Sequence, residues 1–475
     1  MRALLRLVAV ALAGAVLYFT GVLNALVIRD PSPDGAVVVV TALAASLIVL
    51  CMALIGDGRD DASSPPVPAY RGPLRAAWLV VSVMALVGYG WLAGIPFDRS
   101  TDWTPYHNDA IALNDCAARL VTNGQNPYTD LDLFACYDRL GIGADRTTPL
   151  KRGLFRSVDV YPSDDALDGV WDIRRRGGED VEFVWRPSYP ALSFLALIPF
   201  VRAGLDTNLV YIGCLLASMA LILVRSGRGV WPFLLTGLFG AACLTAFTVG
   251  GSADLLYALP LVAAWLWRER RWSAVAYGLA VATKQIAWFF GPFYLIQVAT
   301  QRGWREALAR VPITAGVFVV TNLPYIVSAP KAWLAGVLTP VVEPMFARGA
   351  GLVFLSTTDV LPLWPPAVYL ALEGAGGVAM LAVAWRTRRS SPELGAVLPL
   401  LPLFLAYRSL FSYFFLLPLF AFAGIARMPL GRLVPALARE AGGLTLFALP
   451  FALPRRTSPR PGATVAASRS DAASG

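Results

Sequence analysis

Long apolar blocks alternate with short polar links along most of the chain. Residues 3–28, 35–55 and 74–95 are each nearly free of charged side chains. About 20 consecutive apolar residues allow a helix to cross the hydrocarbon core of a bilayer, and each block is that long. The pattern predicts an all-α polytopic protein of the cell membrane, with about 11–13 transmembrane helices.

One polar segment is much longer than the other links. Residues 97–188 are rich in Asp, Arg, Gly and Pro and hold few long apolar runs. We expect them to form one large extracytoplasmic loop that carries short interfacial helices. The flanking ranges are N-terminal transmembrane helices at 1–96, a transmembrane core at 189–426, a cytoplasmic-side hydrophobic segment at 427–453 and a disordered tail at 454–475.

The formal net charge of +9 has a different meaning here than in a soluble protein. The arginines cluster at the ends of apolar blocks, where basic residues set the orientation of the spans. If Arg2 and Arg6 lie in the cytoplasm, residues 97–188 lie outside and most later basic links lie inside. The expected partner is therefore membrane lipid and not nucleic acid.

Two apolar segments do not fit a simple alternation of spans. Residues 190–201 are short and interrupted by prolines, which favours a re-entrant or interfacial helix. Residues 272–300 begin and end at basic links, so they must go out and return. Lys284 and the Gly291-Pro292 pair indicate two short helices that meet near the outer surface.

The polar loop begins with helical periodicity from 109 to 121. Four apolar positions form one face at helical spacing: Leu113, Cys116, Ala117 and Leu120. Asn108 or Asp109 is suited to cap the N-terminus, and Gly124 is suited to end the helix. We expect a short helix that lies flat on the outer leaflet.

Asp109 is a candidate for a general base. A carboxylate at a helix N-terminus is favoured in its ionised form, which suits a group that accepts a proton from a hydroxyl. An ordinary capping role is the plainer interpretation. His107, the only histidine, is either an interfacial residue or a substrate contact.

Two further features of the loop carry open alternatives. Asp130 and Asp132 form a D-x-D pair, which can hold a divalent cation, although such pairs are common by chance. No other cofactor is expected. Cys116 and Cys136 can form a disulfide if the loop is extracytoplasmic, or remain free thiols.

Four ionisable residues flank or interrupt apolar runs: Asp254, Lys284, Glu373 and Arg408. Such residues are costly in lipid and are functional candidates. Lys284 and Arg408 would suit a phosphate group held at the membrane interface. The alternative is that they snorkel to the interface or anchor the helix ends.

Several short motifs occur in a characteristic order. They are an Asp-led helix that ends in Gly-x-Asn-Pro-Tyr (Asp109 to Tyr128), Tyr-Pro at 189–190, a polar GGSAD turn, ATKQ around Lys284, NLPYIVSAPKAW at 322–333 and a late YRSLFSYF. In this order, residues 102–426 resemble the GT-C class of membrane glycosyltransferases, most closely the polyprenyl-phosphate-dependent mannosyltransferase branch. One departure is that three spans precede the loop, whereas the family usually has one.

The resemblance implies transfer of a hexose or pentose, with mannose favoured, from a polyprenyl-phosphate donor. The acceptor would be an envelope lipid, glycan or protein outside the cell. Asp102, Asp109 and Asp115 compete for the base of an inverting reaction without a metal, and Asp109 is preferred because its distance to Gly124 and Pro127 fits the family's loop helix. Lys284 and Arg408 would hold the leaving phosphate. The other implied substrate contacts are His107, Asn126, Tyr128, Asp254, Gln285 and Tyr413.

Two other classes of function remain open from the sequence. One is a transporter or flippase of a lipid-linked or small solute, and the other is a non-catalytic membrane protein of envelope assembly. A transporter would carry charges deep within its spans and an internal repeat, and neither is clear here. The large polar loop favours an enzyme.

Overall fold

The computed structural model describes residues 3–56, 71–94, 108–178, 180–248 and 251–428. Two predicted site residues, Asp102 and His107, lie outside these ranges. The tail at 454–475 lies outside them as well.

Three long helices form the N-terminal part. They are α1 (Ala3–Arg29), α2 (Pro33–Leu54) and α3 (Arg71–Gly94). The Ser32 hydroxyl caps α2 by accepting a hydrogen bond from the Gly35 N–H at 3.1 Å, and Pro33 occupies the first helical position. The two residues make a tight link, so α1 and α2 pack directly against each other.

The described part of the polar loop is mostly helical. Its elements are α4 (Asp109–Thr122), α5 (Pro127–Asp130), α6 (Leu133–Leu140), 3₁₀ turns at Ala144–Arg146 and Gly153–Phe155, and α7 (Asp164–Gly177). Asn108 caps α4 through its Oδ1, and Gly124 follows the helix in a left-handed conformation with φ 77°. The predicted helix and both of its ends are therefore confirmed.

The position of α4 differs from the expectation. Every residue from Ile111 to Ala118 is buried, so the helix is an internal element and does not lie flat on a leaflet. The sequence pattern did not predict this burial, because Asn114 and Asp115 are typical of an exposed polar face. In the structure Asn114 accepts a hydrogen bond from Ser193 and Asp115 accepts one from Thr207.

A disulfide joins Cys116 on α4 to Cys136 on α6. Both residues are buried in the same cluster of apolar side chains. The sequence left this bond and two free thiols open, and the structure has the bond. It fixes the helix that begins at Asp109 to the body of the loop.

Removing the disulfide should destabilise the protein. With 20 residues of separation, the Cys116→Ser, Cys136→Ser double variant should lose about 3 kcal/mol, because the unfolded loop regains conformational freedom. Thermal unfolding of the purified protein checks this. Cys51→Ser, which alters a free thiol on α2, is the control. Equal melting temperatures for the double variant and the wild type would contradict the prediction.

The remaining elements follow the polar loop in the chain. The helices are α8 (Leu192–Leu195), α9 (Ile198–Arg202), α10 (Asn208–Ser226), α11 (Trp231–Gly240), α12 (Ala242–Ala246), α13 (Asp254–Leu266), α14 (Ser273–Val281), α15 (Phe290–Arg302), α16 (Trp304–Ser328), α17 (Pro330–Val337), α18 (Thr339–Val342), α19 (Leu352–Thr357), α20 (Pro366–Thr387) and α21 (Leu417–Ile425). Single 3₁₀ turns or short 3₁₀ helices lie at Arg228–Val230, Gln285–Phe289, Pro392–Ala396, Leu398–Leu405 and Phe411–Tyr413.

The fold is that of an all-α membrane protein. Within the described residues, six helices are long and apolar enough to cross a bilayer, namely α1, α2, α3, α10, α16 and α20. Other apolar blocks, such as 231–248 and 398–426, are divided into shorter helices. The larger number of crossings expected from the apolar blocks therefore stays a prediction.

The two segments that resisted simple alternation are both interrupted. Residues 190–201 contain the short helices α8 and α9. In the range 272–300, α14 ends at Val281 and the backbone is extended at Lys284, with φ −152°. The Gly291-Pro292 pair lies in the first turn of α15, so it does not form the break itself.

Helix α1 connects two polar ends of the molecule. Near its start, the Arg6 side chain donates a hydrogen bond to the Ile55 carbonyl at 2.9 Å and contacts Met428. Near its end, the Asn24 amide donates to the Gly349 carbonyl at 3.2 Å. The 18-residue separation corresponds to about 27 Å of helix, close to the thickness of a hydrocarbon core.

The Arg6 end gathers links that the charge pattern assigned to the cytoplasm. Arg268 pairs with Glu393 at 2.6 Å, and Arg427, next to Met428, pairs with Glu269 at 2.8 Å. These residues come from three separate links, which the charge pattern assigned to the same side of the membrane, and the structure brings the three links together. Which end faces the cytoplasm stays a prediction.

Short stretches of extended chain dock the loop onto the opposite end. Leu150 forms an antiparallel bridge with Met345, and Pro149 forms one with Phe183. Three residues after Met345, β1 (Arg348–Gly349) pairs in parallel with β2 (Arg408–Ser409). The loop, the link before α19 and the link before α21 therefore meet in one place.

Candidate functional site

Asp109 lies at the centre of this junction. Its Oδ1 accepts a hydrogen bond from the Ala110 N–H at 2.8 Å, and its carboxylate also accepts one from the Thr148 side chain. Arg408 and Lys284 are both within electrostatic range of the carboxylate. The Asp109 side chain keeps some accessible surface, so a small group can reach it.

The surroundings of Asp109 act on its acidity in opposite directions. Burial is the largest influence, and it raises the pKa of this carboxyl above its ordinary value because the charged form loses hydration. The Thr148 hydrogen bond and the positive charges of Arg408 and Lys284 lower the pKa in part. A carboxyl with a raised pKa is a better proton acceptor than an exposed one.

Lys284 and Asp254 form a buried ion pair beside Asp109. The Lys284 Nζ lies 2.7 Å from the Asp254 Oδ1, and their side chains are only 6% and 5% exposed. Asp254 is the first residue of α13, at the end of the GGSAD turn, and Lys284 lies in the break after α14. The ammonium also lies 4.7 Å from the centre of the Tyr189 ring.

This pairing changes the predicted roles of both residues. The sequence assigned Lys284 to the leaving phosphate and Asp254 to the substrate, but each neutralises the other. A buried ion pair holds its partners in place because either charge alone would be costly at this position. We therefore assign the pair to positioning α13, the break after α14 and the Tyr189 ring.

Breaking this pair should destabilise the fold. Lys284→Met leaves the Asp254 carboxylate buried without a partner, and we expect a loss of about 3–5 kcal/mol. The double variant Lys284→Met, Asp254→Leu should recover most of this loss, as measured by thermal unfolding. A Lys284→Met protein with wild-type stability would show instead that Lys284 is not needed to balance Asp254.

Arg348 and Arg408 are the unpaired cations of the site. They lie side by side, because Arg348 is in register with Arg408 in the parallel β1–β2 pair. The Arg348 guanidinium lies 3.8 Å from the centre of the Tyr161 ring, and one terminal nitrogen of Arg408 is buried without a hydrogen-bond partner. Neither arginine forms a salt bridge within the described ranges.

Such a pair favours an anionic ligand. Two adjacent positive charges repel each other, and a buried N–H group without a partner is costly. An anion with several oxygens, such as phosphate, would relieve both costs at once. Arg408 was predicted from the sequence, whereas Arg348 was missed because only the strand register shows that it is the neighbour of Arg408.

Three tyrosine phenols surround the same space. Tyr161 is within electrostatic range of Asp109, Arg348 and Arg408, Tyr189 of Asp109 and Lys284, and Tyr413 of Lys284 and Arg408. All three are half-buried. Phenol groups can donate and accept hydrogen bonds, and their rings offer flat apolar faces. Tyr413 was predicted as a substrate contact, and Tyr161 was missed.

Three other predicted substrate contacts have internal partners instead. The Tyr128 hydroxyl donates to the Tyr189 carbonyl at 2.7 Å, and the Gln285 amide donates to the Ser188 carbonyl at 2.7 Å. Asn126 caps α5 through Oδ1, which accepts the Tyr128 N–H at 3.0 Å. These residues hold the 188–189 backbone that carries the Tyr189 ring, so we assign them to positioning.

The remaining loop carboxylates act as local acceptors. Asp130 accepts the Asn126 N–H at 2.8 Å, Asp132 accepts the Ala135 N–H at 2.9 Å as the cap of α6, and Asp115 pairs with Arg119. No group of three His, Cys, Asp or Glu side chains that could hold a metal occurs in the described chain. Asp130 and Asp132 thus accept hydrogen bonds at the starts of α5 and α6, whereas a metal site at this pair and a base role for Asp115 stay predictions.

Comparisons with known proteins add no family assignment. A scan against protein-family models finds no match, and searches of curated proteins and of solved structures find none. The functional interpretation depends on the residues themselves, namely one carboxylate, two unpaired guanidinium groups and three phenols that lie near one another.

Proposed function

We propose that this protein is a GT-C type glycosyltransferase that uses a sugar linked to polyprenyl phosphate. The observation that carries the proposal is that Asp109 lies within electrostatic range of the unpaired Arg408, whose strand neighbour is the unpaired Arg348. A carboxylate suits a proton acceptor, and the two guanidinium groups suit a phosphate. The sequence resemblance supports mannose as the favoured sugar.

In the proposed reaction, the carboxylate accepts a proton and the two guanidinium groups stabilise the leaving group. Asp109 accepts the proton of an acceptor hydroxyl, whose oxygen forms a bond to the anomeric carbon of the sugar. The bond from that carbon to the phosphate oxygen breaks on the opposite face, and the electron pair leaves with the lipid phosphate. Arg348 and Arg408 stabilise the negative charge that develops there. The configuration of the anomeric carbon is inverted.

The location of the arginine pair suits a lipid-borne donor. Asn24, near the end of the membrane-spanning α1, contacts the carbonyl of Gly349, the residue after Arg348. The arginines therefore lie at the level where a span ends and lipid phosphates reside. A polyprenyl chain can remain in the bilayer while its phosphate contacts the two arginines.

The phenols suit the sugar part of the donor. Tyr161, Tyr189 and Tyr413 offer hydrogen-bonding groups and flat faces, and both bind carbohydrate rings well. The polar loop that carries Asp109 would receive the acceptor. We expect the acceptor to be an envelope lipid, glycan or protein on the extracytoplasmic side.

Transfer should require a deprotonated Asp109. Burial raises the pKa of Asp109 above the ordinary aspartate value of about 4. As the pH drops through the raised pKa, kcat/KM should therefore fall. Arg408 lowers this pKa, so in the Arg408→Gln variant the fall of kcat/KM at low pH should begin at a higher pH. The residual activity of Asp109→Asn should not show this fall. If the fall is unchanged in both variants, Asp109 is not its source.

The experiment that tests the function is sugar transfer by the purified protein. Detergent-solubilised enzyme is incubated with polyprenyl-phosphate mannose labelled in the sugar and with membrane glycolipid extract. We expect label to move to the acceptor and free polyprenyl phosphate to form. Movement of intact donor across proteoliposome membranes, without cleavage, would favour the flippase alternative and contradict an enzyme.

A further inference from the structure

Glu373 is an unpaired carboxyl within a membrane-spanning helix. It lies on α20, seven residues after the helix begins at Pro366, which is about 10 Å along the axis. It forms no hydrogen bond or ion pair within the described residues. An ionisable side chain at such a depth is costly unless it serves a ligand or a partner.

The side chain faces the protein and not the lipid. Residues three or four apart lie on one face of a helix, and Tyr369, Glu373 and Gly376 follow this spacing. Tyr369 packs against Tyr407, with ring centres 5.6 Å apart. A Cβ at Gly376 would lie 3.1 Å from a Leu405 methyl group. Glu373 lies between these two contacts.

The helix face formed by Tyr369, Glu373 and Gly376 places Glu373 at the membrane side of the candidate site. Its two neighbours on the helix face lie against Tyr407 and Leu405, which are one and three residues before Arg408 in the chain. Tyr413 is within electrostatic range of Glu373, Arg408 and Lys284. The positions of Gly374 and Gly377 leave open space beside the carboxyl, since no atom lies within 4 Å of a Cβ built at either.

We propose that Glu373 contacts the headgroup of the lipid-linked substrate on its membrane side and positions it by a hydrogen bond. The inference rests on the proposed function, because it takes the ligand of the arginine pair to be a lipid phosphate. In its protonated form, the Glu373 carboxyl can donate a hydrogen bond to a phosphate or sugar oxygen while Arg348 and Arg408 hold the phosphate from the other side. This makes it a positioning residue and not the base.

The test compares Glu373→Leu, which removes the hydrogen bond, with Glu373→Gln, which can still donate one. Each purified variant is titrated in lipid nanodiscs with a long-chain polyprenyl monophosphate. We expect Glu373→Leu to bind about 10-fold more weakly and Glu373→Gln to stay within about threefold of the wild type. With the sugar donor, the loss should appear in KM and leave kcat nearly unchanged. Val378→Ala, on the opposite face of α20, is the matched control and should bind normally.

A crosslinking experiment keeps the inference testable if Glu373→Leu folds poorly. A benzophenone side chain placed at position 373 should capture the polyprenyl phosphate, and one at position 378 should capture bulk lipid. Equal binding by wild type and Glu373→Leu, or equal capture at the two positions, would overturn the inference alone. Failure of the wild type to bind polyprenyl phosphate would overturn the proposed function as well.

Discussion

Replacing Asp109 by asparagine should reduce sugar transfer by a factor of about 10²–10⁴, the usual contribution of a general base. Asparagine has nearly the same shape and can still accept the hydrogen bond of the Ala110 N–H, so the start of α4 should be preserved. What it cannot do is take the proton of the acceptor hydroxyl. The measurement is kcat of the purified variant at saturating donor, with protein level and melting temperature recorded beside it.

The matched control is Asp138→Asn on the same loop. Asp138 is half exposed and pairs with Arg175 at the surface, where an ion pair contributes little to stability. That variant should transfer sugar at the wild-type rate. Normal transfer by Asp109→Asn would contradict the assignment of the base, and Asp102→Asn would then test the alternative that the sequence left open.

Loss of the arginine pair should remove binding of the lipid phosphate. Arg348→Gln and Arg408→Gln should each weaken binding about 10- to 100-fold, since a hydrogen bond to a charged group contributes about 1.5–3 kcal/mol. The double variant should bind more weakly than either single variant. Arg408→Lys should fall in between, because lysine keeps the charge but not the planar pair of donors.

Binding is measured by titrating nanodisc-embedded protein with polyprenyl monophosphate. Arg175→Gln, which alters a half-exposed arginine of the loop, is the control and should bind normally. Wild-type affinity in the Arg348→Gln, Arg408→Gln protein would contradict a phosphate site at β1 and β2. Removal of two adjacent positive charges should also leave the fold intact, because neither is paired with a carboxylate in the described residues.

Local patterns in the sequence predicted several parts of this site. Helical spacing located α4 and placed Asp109 in its first turn. The break at Lys284 followed from a charged residue between short apolar runs. The loop aspartate, Lys284 and Arg408, far apart in the chain, were expected to meet, and the structure places Lys284 and Arg408 within electrostatic range of Asp109.

Other parts depend on contacts that a single sequence does not record. Lys284 reads as a free cation until α13 places Asp254 at 2.7 Å from it. Arg348 lies in a link without periodicity, and its pairing with Arg408 arises from strand register. The burial of α4 was hidden because the partners of Asn114 and Asp115, Ser193 and Thr207, lie some 80–90 residues downstream.

A structure of the purified protein in nanodiscs with bound polyprenyl monophosphate would test the proposed site most directly. We predict phosphate density between the guanidinium groups of Arg348 and Arg408, with the Asp109 carboxylate facing the side from which an acceptor would approach. Phosphate bound elsewhere, with both arginines turned away from it, would contradict the proposed site.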